Sequence, residues 1–149
     1  MLGTAYCQVA ASQGAVAGGD GLSLELNVRT ADVTILLVNN GVKRPTVEYP
    51  FRLLYGEDRS GLDISFVPKS GKTDKKILCP IIDVSPEQLP TKRMLFSGNV
   101  LGQRFSKKEL RELYCLEKKP YVMTARIYYD ASNESSTQYV EVVGTVDFS

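Results

Sequence analysis

Histidine and tryptophan are absent from this 149-residue chain, and cysteine occurs only three times. Without histidine the commonest general base is gone, together with the Ser-His and Cys-His nucleophile pairs and most catalytic zinc geometries. Carboxylates, Lys and Tyr stay available as catalysts, so the lack weighs against an enzyme without excluding one. A surplus of either charge is missing as well. The 18 basic and 17 acidic residues leave a net charge of +1, which gives no general attraction to nucleic acid or an anionic membrane. No stretch approaches the roughly 20 apolar residues that span a bilayer, so no membrane insertion is expected. The positions of Cys7, Cys79 and Cys115 match no zinc spacing, and no cofactor is implied.

What remains is the composition of one ordinary globular domain. Hydrophobic residues make up 43% and charged residues 23%, apolar enough to bury a core and to exclude disorder. Residues 1–21 differ: they carry no charge before Asp20 and are rich in Ala, Gly, Ser and Gln. Ala15-Val16-Ala17 before Gly18 is a triplet that signal peptidase accepts, although no Lys or Arg precedes it. Residues 1–21 are therefore expected to be a flexible leader or the remnant of an export signal, and residues 22–149 a single folded domain. Export to the periplasm or cell exterior is the expected localisation, with the cytoplasm as the alternative.

Periodicity predicts an all-β fold. Residues 33–40, Val-Thr-Ile-Leu-Leu-Val-Asn-Asn, form an apolar run stopped at Gly41 and predict a central strand covered on both faces. Residues 22–28 alternate, with Leu22, Leu24, Leu26 and Val28 inward, as a half-buried strand does. Tyr49 to Tyr55 reads as an edge segment because Pro50 cannot donate to a ladder. Leu62 to Val67 is a short strand with Leu62, Ile64 and Phe66 inward. Ile77 to Val84 is apolar but interrupted by Pro80, and Arg93 to Phe96 is a further short strand. Gly98 and Gly102 are expected to flank a turn or bulge.

One helix is written by Ser106-Lys107-Lys108-Glu109, a capping box flanked by the staple residues Phe105 and Leu110. Leu110, Leu113 and Tyr114 share one face, and the helix is expected to end near Tyr114 as a crossover between strands. Tyr121 to Tyr129 and Tyr139 to Phe148 then alternate around a polar hairpin loop. The sum is an antiparallel sandwich of about seven to nine strands with one short helix near 106–114.

The Val-Thr-Ile-Leu-Leu-Val-Asn-Asn-Gly strand, the short helix, Tyr121-Val122-Met123-Thr124-Ala125 and the last hairpin resemble immunoglobulin-like domains of bacterial secreted or periplasmic proteins. The resemblance covers residues 22–148 and implies an immunoglobulin-like sandwich. Some such domains inhibit proteases and some are accessory modules of exported hydrolases. The chain has no Trp to pack on a disulfide as antibody domains do, and Gly98-Asn99 stands where these modules often carry Pro-Gly-Glu.

Candidate chemistry is sparse. Ser70-Gly71-Lys72-Thr73 looks like the end of a phosphate-binding loop, but that pattern needs Gly at position 66, where Phe66 stands. Lys69, Lys72, Lys75 and Lys76 make the same segment a basic loop, suited to an acidic partner or simply solvated. No aromatic residues interleave with them as a nucleic-acid groove requires. Glu57, Asp58 and Asp63 surround a polar turn and offer calcium ligands or a hydrolytic carboxylate pair, yet their spacing fits no EF-hand.

Tyr128 and Tyr129 are adjacent, so one of them must point away from the core and can join Tyr139 in an exposed aromatic patch. Asn133-Glu134-Ser135 is a glycosylation sequon, meaningful only in a eukaryotic secretory host. Cys79 and Cys115 are either two free thiols or a disulfide, which would contribute roughly 3–4 kcal/mol by closing a loop of about 36 residues. The expected function is an exported, non-enzymatic binding or accessory module whose partner is another protein, acting through loops or a sheet face. One version is protease inhibition, with residues 68–76 or 130–137 as the inserted wedge. The alternatives are a structural subunit of a surface assembly, paired through a strand edge, and a carboxylate-based hydrolase using Glu57, Asp58 or Asp63.

Overall fold

Apolar residues at every second position give this chain its sheets. The computed structural model describes residues 21–51, 61–70, 90–130 and 137–149. In chain order the elements are β1 (Leu22–Val28), β2 (Asp32–Asn39), β3 (Thr46–Tyr49), β4 (Leu62–Pro68), β5 (Thr91–Met94), β6 (Val100–Ser106), α1 (Lys107–Tyr114), β7 (Pro120–Asp130) and β8 (Thr137–Asp147). They form an all-β architecture of two antiparallel sheets. One sheet has the order β1-β2-β6. In the other, β7 pairs with β8 along its whole length, while its opposite edge takes β4 and then, at Asp130, β3, which carries β5.

The core lies between the sheets. Leu22, Leu24 and Leu26 of β1 and Val33, Ile35 and Leu37 of β2 are buried, as are Met123, Ala125, Ile127 and Tyr129 of β7 and Val140, Val142 and Val146 of β8. Each fully buried aliphatic side chain contributes about 1.5–3 kcal/mol of transfer free energy. A second, aromatic cluster closes one end, where Phe66 meets the rings of Tyr114, Tyr121 and Phe148 at centroid distances of 5.1, 6.2 and 5.6 Å.

The helix follows its sequence signals. Ser106 Oγ accepts from the Glu109 backbone N–H at 3.0 Å, and the Glu109 carboxylate accepts from the Ser106 N–H. Leu110 is fully buried, and the helix stops at Cys115, whose φ of 50° is left-handed. It crosses from β6 in one sheet to β7 in the other.

Three strand expectations are corrected. β2 is central in its sheet, but only its inward face is buried; Thr34, Leu36 and Val38 are half-buried. No second layer among the described residues covers them. Instead Leu36 settles over Gly102, where a Cβ would stand 2.8 Å from Leu36 Cδ2. That packing also explains why Gly102 lies inside β6 and flanks no turn; the turn belongs to Gly98, with φ 84°. Finally, β3 ends before Pro50, where the missing N–H stops the ladder. The backbone of Phe51 is instead held by the Gln103 amide, whose Oε1 accepts at 2.7 Å and whose Nε2 donates at 3.0 Å. Residues 52–55 and the segment 77–84 lie outside the described residues. No helix among the described residues is long and apolar enough to cross a membrane.

Candidate functional site

The outer face of the larger sheet is built by strand phase. Inward residues of β7 are odd-numbered, so Val122, Thr124, Arg126 and Tyr128 point outward. The registers then lay out rows across the face: Tyr128 beside Tyr139, Arg126 between Asp63 and Glu141, Thr124 between Ser65 and Val143, and Val122 between Val67 and Thr145.

Tyr128 and Tyr139 lie with ring centroids 5.8 Å apart and tilted by 58°. The Arg126 guanidinium carbon sits 4.8 Å from the Tyr139 ring centroid, a cation–π contact. Arg126 Nε is 3.5 Å from Glu141 Oε2, an ion pair too long to be a good hydrogen bond, so Nε itself makes none. Desolvation works against the guanidinium charge, but the Glu141 carboxylate and a hydrogen bond with Tyr128 outweigh it and raise the Arg126 pKa. The result is a fixed planar cation between an aromatic ring and a carboxylate. Tyr139 remains 48% exposed, and Val143 and Val67 extend the apolar part of the face.

The sequence candidates are not all gathered here. Tyr128 and Tyr139 are brought together, whereas Tyr129 is turned into the core at 2% exposure, its hydroxyl bonded to Gln138 Oε1 at 3.1 Å. Adjacent residues of a strand face opposite ways, so Tyr129 does not belong to the patch. Lys69 is exposed but follows β4, with its backbone N–H on the Pro120 carbonyl at 3.1 Å, at the opposite end of β7 from Tyr128. Lys72, Lys75, Lys76, Glu57, Asp58, Cys79 and the sequon at 133–135 lie outside the described residues. Asp63 faces Arg126 in register, and no metal-binding group of side chains occurs among the described residues.

Cys115 is disulfide-bonded, and both other cysteines of the chain lie outside the described residues. An open depression of about 260 Å³ beside the helix is lined by Lys108, Arg111, Glu112 and Leu116 and gathers no nucleophile or acid–base pair.

One structural residue escaped the sequence reading. Asn39 is the single buried polar side chain of the described residues, at 0% exposure. Its Nδ2 donates to the carbonyls of Lys43 and Leu95 at 2.9 and 3.0 Å, and its Oδ1 accepts from the Gly41 N–H at 3.0 Å. The signal was phase: Asn39 continues the inward set Val33, Ile35, Leu37, so it had to be buried and fully bonded.

Comparison with known protein families, with characterised proteins and with solved structures found no match.

Proposed function

We propose that the chain is an exported, non-enzymatic immunoglobulin-like module that docks a partner protein through the outer face of β4, β7 and β8. The stacked Tyr128–Tyr139–Arg126 group carries the reading. Tyr and Arg dominate the energetic centres of protein interfaces, and here both are held in place before binding, which lowers the ordering cost. Strand order supports the immunoglobulin-like part: β1-β2-β6 corresponds to strands A, B and E, and β5-β3-β7-β8 to C′, C, F and G, with β4 added beside F. Tyr121 supports it too, since its hydroxyl accepts from the Glu117 backbone N–H at 3.0 Å just before β7, in the manner of a tyrosine corner. The Cys115 disulfide favours an oxidising compartment.

The test immobilises three proteins: wild type, Tyr139→Ala with Arg126→Glu, and Glu25→Ala on the other sheet as control. Each is exposed to the exported fraction of the source cells. A protein retained by wild type and control but lost from the double variant is the expected result. Equal retention on all three, or none on any, overturns the assignment.

A second reading rests on β8, an 11-residue strand that pairs only with β7 among the described residues. It contains no Pro or Lys, the residues that usually protect an edge, and so suits pairing with a second strand. Concentration-dependent assembly in sedimentation favours this reading, and a strict monomer at high concentration removes it.

A further inference from the structure

Asn40 is the only asparagine of the chain followed by glycine. Such a pair is prone to lose its side-chain amide, because glycine has no Cβ to hinder attack by its own backbone nitrogen. In that reaction the Gly41 nitrogen bonds to Asn40 Cγ and the bond from Cγ to Nδ2 breaks. The proton of the Gly41 N–H passes through solvent to the leaving ammonia, and a five-membered imide remains. Water opens the ring at Cγ to give aspartate, or at the main-chain carbonyl carbon to give isoaspartate. Water is consumed and ammonia released, so no oxidant or cofactor is needed.

The turn after β2 controls both partners of this reaction. The Asn40 side chain is exposed, so water and base reach it. The Gly41 nitrogen is held. Its N–H donates to Asn39 Oδ1 at 3.0 Å, closing an Asx turn. An amide oxygen is too weak a base to take that proton, so the bond fixes the nitrogen without activating it. Gly21 lies against the same nitrogen, where an added Cβ would stand 2.7 Å from it. The Asn40 N–H in turn donates to the Gly21 carbonyl at 2.9 Å. The main chain is thus pinned on both sides of the rotation that would carry the Gly41 nitrogen onto Cγ.

Asn39 is itself fixed. Its Nδ2 donates to the Lys43 and Leu95 carbonyls, its backbone N–H to the Asn99 carbonyl at 3.0 Å, and its carbonyl accepts from the Gly98 N–H at 2.7 Å. We propose that Asn40–Gly41 is a site of spontaneous deamidation that Asn39 holds shut while the turn is closed, and that reacts once the turn opens. The products keep it open. The imide has no N–H left for Asn39 Oδ1, and isoaspartate adds a methylene carbon to the main chain between the bonds to Gly21 and Asn39. The turn becomes a one-way record of its own opening.

The experiment incubates the full chain at mildly alkaline pH and follows conversion of the Asn40 amide to acid by peptide mass spectrometry. Folded wild type is expected to react at least about tenfold more slowly than the same chain unfolded in urea. Asn39→Ala reacts at least about fivefold faster than folded wild type, the factor for one net hydrogen bond. Leu110→Ala empties a buried position on the helix after Ser106, at the opposite end of β2, with a comparable loss of stability; it leaves the rate unchanged. Hydrogen exchange at the Gly41 amide of wild type, read by NMR, is slow, a test that needs no variant to fold. Three outcomes overturn the proposal: equal rates in folded and unfolded wild type, equal acceleration by Asn39→Ala and Leu110→Ala, or fast exchange at Gly41.

Discussion

Replacing Asn39 with Ala removes three side-chain hydrogen bonds at a site with no solvent exposure. Each is worth about 1 kcal/mol net, and the Leu95 carbonyl, whose bond is buried, loses its side-chain donor with no water to replace it. The Lys43 carbonyl and Gly41 N–H are partly open to water and recover some of their loss. The expected cost is about 3–4 kcal/mol, which lowers the melting temperature by about 10 °C in a domain of this size. Urea unfolding followed by circular dichroism measures it as a lower midpoint with an unchanged slope.

Asn39→Asp sharpens the test. It keeps the acceptor for Gly41 but turns a carboxylate toward two carbonyl oxygens, which raises its folded pKa above the ordinary carboxylate value of about 3.9. A raised folded pKa means that stability is fully present below the unfolded pKa and is lost as pH rises through the folded one. Asn39→Asp is therefore less stable than Asn39→Ala at neutral pH, and the gap narrows on acidification. An Ala variant within about 0.5 kcal/mol of wild type, or an Asp variant indifferent to pH between 4 and 7, would refute the clamp.

Two further outcomes follow from single hydrogen bonds. Tyr121→Phe deletes the acceptor of the Glu117 N–H and should cost about 1 kcal/mol, with faster amide exchange at Glu117 as its signature; unchanged exchange there would show the corner to be idle. The Asp147 carboxylate is held below the usual carboxylate range by hydrogen bonds from the Ser149 hydroxyl and then the Ser149 backbone N–H, with Lys107 and Lys69 adding favourable charge. A lowered folded pKa gives a contribution present above the unfolded pKa and lost as pH falls through the folded value. Ser149→Ala should move the Asp147 titration, read by NMR, upward toward the ordinary range, and an unmoved titration would exclude the hydroxyl as its main cause.

Local chemistry alone determined much of this protein. Alternation placed Leu22, Leu24 and Leu26 inward, put Tyr121, Met123, Ala125, Ile127 and Tyr129 on one face of β7, and aligned Val140, Val142, Val146 and Phe148, because a strand's period is two whatever it packs against. The capping box set the helix start at Ser106 for the same reason: its bonds join residues three apart. The candidate site was half legible. Sequence showed that Tyr128 or Tyr129 must face outward, but only cross-strand register put Tyr128 beside Tyr139 and Arg126 beside Glu141.

Long-range neighbours decided the remainder. Leu36 is half-buried with no second layer over it among the described residues because Gly102, distant in sequence, leaves room beneath it. Phe51 finds its hydrogen bonds on Gln103, and Asn39 finds one of its own on Leu95, partners that no local pattern names. Pairings between residues more than 50 positions apart depend on which strands the two sheets bring side by side, and that is a property of the two sheets packed together, not of any strand in them.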